Sequence, residues 1–225
     1  MLYAFGDSYT FGQGMPDVDN KDPDKYVLGD SSQHVWPVHL AEFLDTSLEN
    51  HAYCGASMLH ITKIFLDNYY KMSQDDVVVI AWTYMERWSV INDDTELLPI
   101  FNLLPNMPNV PGVPNLEEYL PFNTTAHKIN MFCMMSTLIT SLCDLKGIQC
   151  HHRILDCLDF KDFKKHRPDW YTLKLPNTSL LYSQQKSSLI KLYLNLIPGK
   201  LPDYHCDQDT HRFWAQSIHR EISRS

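Results

Sequence analysis

The sequence is short of basic residues. Its 19 Lys and Arg side chains are outnumbered by 27 Asp and Glu, and the formal net charge is -8 over 225 residues. Nucleic-acid binding needs clustered lysine and arginine, so this balance argues against a nucleic-acid-binding surface. No apolar stretch is long enough to span a bilayer, which argues against a membrane-spanning protein. Internal repeats, low-complexity tracts and long runs of like charge are missing too.

A secretory leader and a cysteine framework are missing as well. Met1 leads directly into apolar residues, with neither a basic segment nor a long apolar segment, and this predicts a cytoplasmic protein. The six cysteines form no Cys-x-x-Cys pair, which favours buried, reduced thiols. The Cys-His-His run at 150–152 with Cys157 does not have the spacing of a usual zinc site. We therefore expect no metal.

The sequence does contain enough apolar residues for one compact domain. Hydrophobic residues make up 44% of the chain, which suffices for a full core. Apolar runs predict strands over 2–5, 48–57, 75–83 and 148–156. Helical spacing predicts helices over 32–46, 57–72, 125–147, 183–196 and 207–222. Six prolines between 92 and 121 predict an irregular insertion there, and a second irregular insertion is expected near 158–182.

The alternation of strands and helices predicts an α/β fold. Its expected form is a three-layer α/β/α sandwich with a central parallel sheet. Five consecutive apolar residues, 77–81, indicate a strand that is buried on both faces, as in a parallel sheet. We expect one domain over 1–225. In such sheets the functional groups gather at the carboxyl ends of the strands.

A Gly-Asp-Ser corner follows the first predicted strand and presents Ser8. A serine hydroxyl needs a base to act as a nucleophile, and the base needs an acceptor that orients it. Asp203 and His205 precede the last predicted helix. In an extended segment their side chains share one side of the backbone. The alternative is that Ser8 is a plain turn residue, because Gly-Asp-Ser is a common turn composition.

Three sequence blocks resemble those of the SGNH (GDSL) hydrolases. They are FGDSYTFG at 5–12, NHAYCGAS at 50–57 and DYHCDQDTHRFWAQSI at 203–218. One such block is a weak signal, but three in the same order across the chain are fairly specific. The resemblance implies a flavodoxin-like α/β/α fold and esterase, lipase or carbohydrate-deacetylase activity without a metal or organic cofactor. WTYMER at 82–87 is similar to a block of virus-encoded members, which would place the protein in a host cytoplasm or a virion.

The resemblance also implies a set of catalytic roles. Ser8 would be the nucleophile, His205 the base, and Asp203 the residue that orients His205. The backbone N–H groups of Ser8 and Gly55 would stabilise the tetrahedral oxyanion. The family's third block usually adds an Asn to these donors. The matching stretch of this chain, 81–84, has no Asn, and the hydroxyl of Thr83 is expected to donate in its place.

Further side chains near the strand ends are candidates for contact with substrate. They are Asp7, Trp82, Tyr84 and Arg87. An ion pair at the sheet edge is the alternative role for the arginine. Aromatic rings can stack on a sugar, and core packing is their alternative role.

The last block leaves a second choice of base open. The family's usual form is Asp-x-x-His-Pro, from which this chain departs. A rival register takes His211 as the base, with Asp207 or Asp209 as its partner. We favour His205, because a loop residue is freer to reach Ser8 than one inside a packed helix.

The sequence therefore predicts a serine esterase that acts on a short-chain acyl ester, with an O-acetyl group on a carbohydrate as the expected substrate. One alternative is a lipase or thioesterase for longer acyl chains, with the proline-rich segment as its lid. Another is a non-catalytic binding or virion-associated protein that keeps the fold. The expected partner is a small-molecule or carbohydrate ester, and the oligomeric state stays open.

Overall fold

The computed structural model describes residues 1–18, 30–83, 85, 87–91, 97–100, 124–154, 160–172 and 208–224. The strands within these ranges are β1 (Leu2–Phe5), β2 (Leu48–Asn50), β3 (Val77–Trp82), β4 (Trp88–Ile91), β5 (Leu97–Ile100) and β6 (Gln149–Ile154). The helices are α1 (Ser8–Phe11), α2 (Trp36–Leu44), α3 (Met58–Asn68), α4 (Thr125–Lys146), α5 (Phe160–His166) and α6 (Gln208–Ile222). A short 3₁₀ turn, Tyr69–Lys71, follows α3.

The central sheet has four parallel strands in the order β2-β1-β3-β6. Ala4 of β1 pairs with Asn50 of β2 on one side and with Val79 of β3 on the other. Val79 in turn pairs with His151 of β6. Parallel neighbours need long crossover connections. The chain between successive strands of this sheet contains α2, α3 and α4. The predicted parallel sheet is confirmed.

Helices cover both faces of this sheet because successive strand residues point to opposite sides. On one face Leu2, Ala4, Val79 and Ala81 pack with side chains of α2 and α6. On the other face lies the larger cluster, which includes Phe5, Val78, Ile80 and Trp82 and packs with α3 and α4. These are the three layers of an α/β/α sandwich, as predicted.

Local sequence signals place the helix ends. Pro37 lies in the first turn of α2, where its missing N–H costs nothing. The hydroxyl of Ser57 accepts from the backbone N–H of His60 at 3.2 Å and caps α3. Gly147 ends α4 in the left-handed region, with a φ of 69°. The predictions for these three helix ends are confirmed.

Two predicted irregular segments contain regular structure. β5, with Pro99, lies inside 92–121 and pairs antiparallel with β4. Proline is tolerated here because each strand of a two-stranded ribbon has a free edge. α5 lies inside 158–182, where Phe163 anchors it in the larger core cluster. The remainder of 101–121 and the helix predicted over 183–196 lie outside the described residues.

Candidate active site

Ser8 lies at the carboxyl edge of the sheet, three residues after the last residue of β1. It is the first residue of α1, and its side chain is buried. The helix is one turn long and ends at Gly12, whose φ of 93° suits glycine. The first backbone N–H groups of a helix have no acceptor within the helix. The N–H groups of Tyr9, Thr10 and Phe11 are all bonded to Asp7, so the corner presents Ser8 on a turn that is held by the residue before it.

The carboxylate of Asp7 is wholly buried and joins the loops that follow β1 and β3. One oxygen accepts from the backbone N–H of Tyr9 at 3.0 Å and so caps α1. The other accepts from the Thr83 hydroxyl at 2.7 Å and from Nη1 of Arg87 at 2.7 Å. Two neutral donors and one cation thus hold Asp7, the residue before Ser8.

This network gives two of the predicted site residues partners within the protein. Asp7 has no exposed surface. The only hydrogen of the Thr83 hydroxyl is donated to Asp7, and its donation to an oxyanion stays a prediction. Arg87 takes the ion-pair role that the sequence left open as an alternative. The sequence carried no signal for this pair, since its members lie 80 positions apart.

Close packing holds α1 against the end of β1. A Cβ on Gly6 would lie 2.1 Å from the Thr10 hydroxyl oxygen, so only glycine fits at this position. That oxygen also accepts from the indole Nε1–H of Trp36 at 3.3 Å. The turn that carries Ser8 is thereby fixed to both β1 and α2.

The loop after β2 lies against the same turn. The side-chain amide of Asn50 donates to the backbone carbonyl of Thr10 at 3.0 Å, and Tyr53 N–H donates to the carbonyl of Gly6 at 3.1 Å. Gly55 follows in this loop with a φ of 79°. Among the described residues no acceptor pairs with its backbone N–H. That donor is available for a ligand beside the Ser8 corner.

The predicted base His205 and its partner Asp203 lie outside the described residues, as do Tyr84 and Asp207. α6 begins at Gln208, three residues after His205.

The rival base His211 is described and is used structurally. It is buried on α6, and its Nδ1 accepts from the backbone N–H of Trp36 at 3.3 Å. An accepting ring nitrogen carries no proton, so the proton of the neutral ring is on Nε2. A ring in this state does not accept a proton from Ser8. Asp209, its suggested partner, is exposed in the first turn of α6.

The aromatic candidates are placed differently from the expectation. Trp82 has no exposed surface, and its indole N–H donates to Nδ1 of His152 at 3.0 Å. The ring of Trp82 packs in the core, and its contact with substrate stays a prediction. The partly exposed rings of Tyr9 and Trp214 lie next to the Ser8 corner, with their centroids 6.4 Å apart. The sequence analysis did not single them out.

Cys54 is a buried thiol in the loop after β2. Burial raises the pKa of the Cys54 thiol to about 12, and the Asp7 carboxylate adds to the rise. The thiol therefore stays protonated and is a poor nucleophile. Within the described ranges no three His, Cys, Asp or Glu side chains are grouped to hold a metal ion, and no helix there is long and apolar enough to cross a membrane.

No model of a protein family and no curated protein matches the chain. Among solved structures, it is similar to a member of the lipolytic protein G-D-S-L family from Veillonella parvula DSM 2008, with 11% identity, a TM-score of 0.47, and 100% of this chain and 98% of that chain covered. A family two carbohydrate esterase from Clostridium thermocellum, in complex with cellohexaose, is 13% identical, with a TM-score of 0.47 and coverage of 99% and 63%. An acetyl xylan esterase from Butyrivibrio proteoclasticus is 12% identical, with a TM-score of 0.41 and coverage of 87% and 64%. The chain thus spans less than two thirds of the length of either carbohydrate esterase.

Proposed function

We propose that the protein is a serine esterase that hydrolyses short-chain acyl esters, with Ser8 as the nucleophile. The observation that carries the proposal is the position of Ser8 at the carboxyl edge of a parallel sheet, on a turn fixed by the buried Asp7 carboxylate. This edge is where α/β sheets gather their functional groups. A plain turn serine does not need a buried ion pair behind it.

The proposed reaction has two halves. The Ser8 oxygen attacks the ester carbonyl carbon while its proton passes to Nε2 of His205, and that proton leaves with the alcohol when the C–O bond breaks. Water then attacks the acyl-enzyme and gives a proton to His205. The free acid departs, and the proton returns to the Ser8 oxygen. Asp203 accepts from the other ring nitrogen and orients the imidazole, and no cofactor is needed.

Two backbone donors are proposed to stabilise the negative charge on the carbonyl oxygen. They are the N–H of Ser8, at the start of α1, and the N–H of Gly55, which no acceptor among the described residues takes up. Each such donor contributes about 100-fold to 1000-fold in kcat. Since Thr83 is bound to Asp7, the proposed hole consists of these two backbone donors, without the third donor that the family's Asn supplies.

His205 is preferred to His211 as the base. Nδ1 of His211 is occupied by Trp36 N–H. The ring contact between Tyr9 and Trp214 places α6 beside the Ser8 turn. His205 lies three positions before Gln208, the first residue of α6, and is therefore proposed to supply the base from the segment that leads into this helix.

The alcohol half of the substrate is proposed to be a carbohydrate. Partly exposed aromatic rings bind sugar faces, and the pair of Tyr9 and Trp214 adjoins Ser8. Because Trp82 is buried in the core, Tyr9 and Trp214 are proposed to stack on the sugar, the role that was expected for Trp82 and Tyr84.

Hydrolysis of p-nitrophenyl acetate by the wild type and by single variants tests the proposal. Ser8→Ala and His205→Gln are expected to lower kcat by about 10⁴-fold or more. His211→Gln, the matched control on the same segment, is expected to lower the free energy of unfolding while the folded fraction keeps its kcat. A fluorophosphonate should label the wild type and not Ser8→Ala. An unlabelled wild type without esterase activity would leave a binding protein with this fold.

A further inference from the structure

A small cavity adjoins the candidate site between α3, α4 and the segment that leads from β3 into β4. Its volume is about 110 Å³. Arg87, whose guanidinium binds Asp7 next to Ser8, lines this cavity. Ser57, two residues after Gly55, lines it too. The cavity therefore touches both segments that carry the proposed catalytic groups.

Five of the ten side chains around the cavity are apolar. They are Met58, Leu59, Met85, Met131 and Met135. Methionine is unbranched and polarisable, so it adapts its shape to an apolar ligand. Met131 is only half-buried, which leaves this part of the wall accessible from outside the core.

The polar groups of the inner wall are already bonded within the protein. The hydroxyl oxygens of Ser57 and Ser89 lie 2.7 Å apart, and Arg87 donates to Asp7 at 2.7 Å. His127 and Lys128 of α4 complete the lining. An apolar group that enters the cavity therefore breaks none of these hydrogen bonds, whereas a strongly polar group has to compete for them.

The size of the cavity limits what it can hold. A water-sized group takes up about 30 Å³ in the liquid, so the cavity has room for about four such groups. An acyl chain of about four carbons matches this volume, and an eight-carbon chain exceeds it. Each methylene buried on binding improves affinity by about fourfold, so two methylenes are worth about 15-fold.

We infer that this methionine-lined cavity binds the acyl chain of the ester and sets its length, with butyryl as the best fit. The inference rests on the proposed function and names its substrate class. Acetyl is accepted but leaves the cavity partly empty. Longer chains exceed the volume of the cavity.

Chain-length profiles of matched variants test this. The wild type should cleave p-nitrophenyl butyrate with about 15-fold higher kcat/KM than the acetate, and with higher kcat/KM than the octanoate. Met131→Trp should lower the butyrate value to the acetate value. Met131→Ala should move the optimum toward hexanoate. Met134→Trp, on the exposed face of the same helix, should keep the wild-type profile. Equal profiles for Met131→Trp and Met134→Trp would overturn the inference.

A binding measurement separates failure of this inference from failure of the proposed function. In a protein with ¹³C-methyl-labelled methionine, butyrate should shift the NMR signals of Met131 and Met135 and leave that of Met134 in place. These shifts in a protein that no fluorophosphonate labels would refute the esterase and keep the cavity as a short-chain acyl site. Labelling of Ser8 without these shifts would keep the esterase and refute the cavity's role.

Discussion

Replacing Arg87 with leucine removes the cation that faces the buried carboxylate of Asp7. Nη1 and Oδ2 are 2.7 Å apart, and the two side chains are 16% and 0% exposed. Two charges about 4 Å apart attract by roughly 4 kcal/mol at an effective dielectric constant of about 20. The variant is spared the desolvation of the guanidinium, which offsets part of this loss. We therefore expect Arg87→Leu to lower the free energy of unfolding by about 2–4 kcal/mol.

Urea denaturation followed by tryptophan fluorescence measures this loss. Arg212→Leu is the matched control, because Arg212 is exposed on α6, and it should change stability by no more than about 0.5 kcal/mol. The double variant Asp7→Asn/Arg87→Leu removes both charges of this pair. It should be less destabilised than the sum of its single variants, by at least about 1 kcal/mol.

Two results would refute the reasoning about this pair. One is a loss for Arg87→Leu no larger than that for Arg212→Leu. The other is a double variant whose loss equals the sum of the two single losses, since an ion pair requires coupling between its members. Either would mean that the Asp7 carboxylate is held by its neutral donors, Tyr9 N–H and the Thr83 hydroxyl, without help from the cation.

Three further predictions concern the residues around the site and the sheet. Burial lowers the pKa of His152 to about 3 and that of His151 to about 4. As the pH falls, the unfolded chain therefore takes up protons on these histidines before the folded protein does. In urea titrations from pH 7 to 5, their contribution to the free energy of unfolding should be complete above pH 6.5 and should fall below it by up to about 1.4 kcal/mol per pH unit for each histidine. Gly6→Ala should cost about 1–3 kcal/mol, because its Cβ would lie 2.1 Å from the Thr10 hydroxyl oxygen, and a thermal melt that matches the wild type would contradict this contact. Trp82→Phe should cost about 1–3 kcal/mol by leaving Nδ1 of buried His152 without its donor, while KM for ester substrates stays unchanged.

Several features could be predicted from the sequence because their causes are local. The apolar run 77–81 indicates a strand buried on both faces, and β3 is such a strand. Ser57 caps the start of α3 with a hydrogen bond from its hydroxyl, and Gly147 ends α4 with a positive φ. Both caps depend on only a few neighbouring residues. The same holds for the Gly-Asp-Ser corner, where Asp7 caps the turn that begins at Ser8. The alternation of strands and helices along the chain then predicted the three layers of the sandwich, because parallel strands need crossover connections.

Only the tertiary structure decided which side chains meet. It paired Asp7 with Arg87, bound the Thr83 hydroxyl to that pair, and buried Trp82 against His152. It also placed a strand through Pro99, where composition had predicted irregular chain. Each of these hydrogen bonds joins residues that lie 70 or more positions apart in the sequence. Local patterns record burial and backbone conformation, but the partner of a buried polar group depends on how the sheet brings distant loops together.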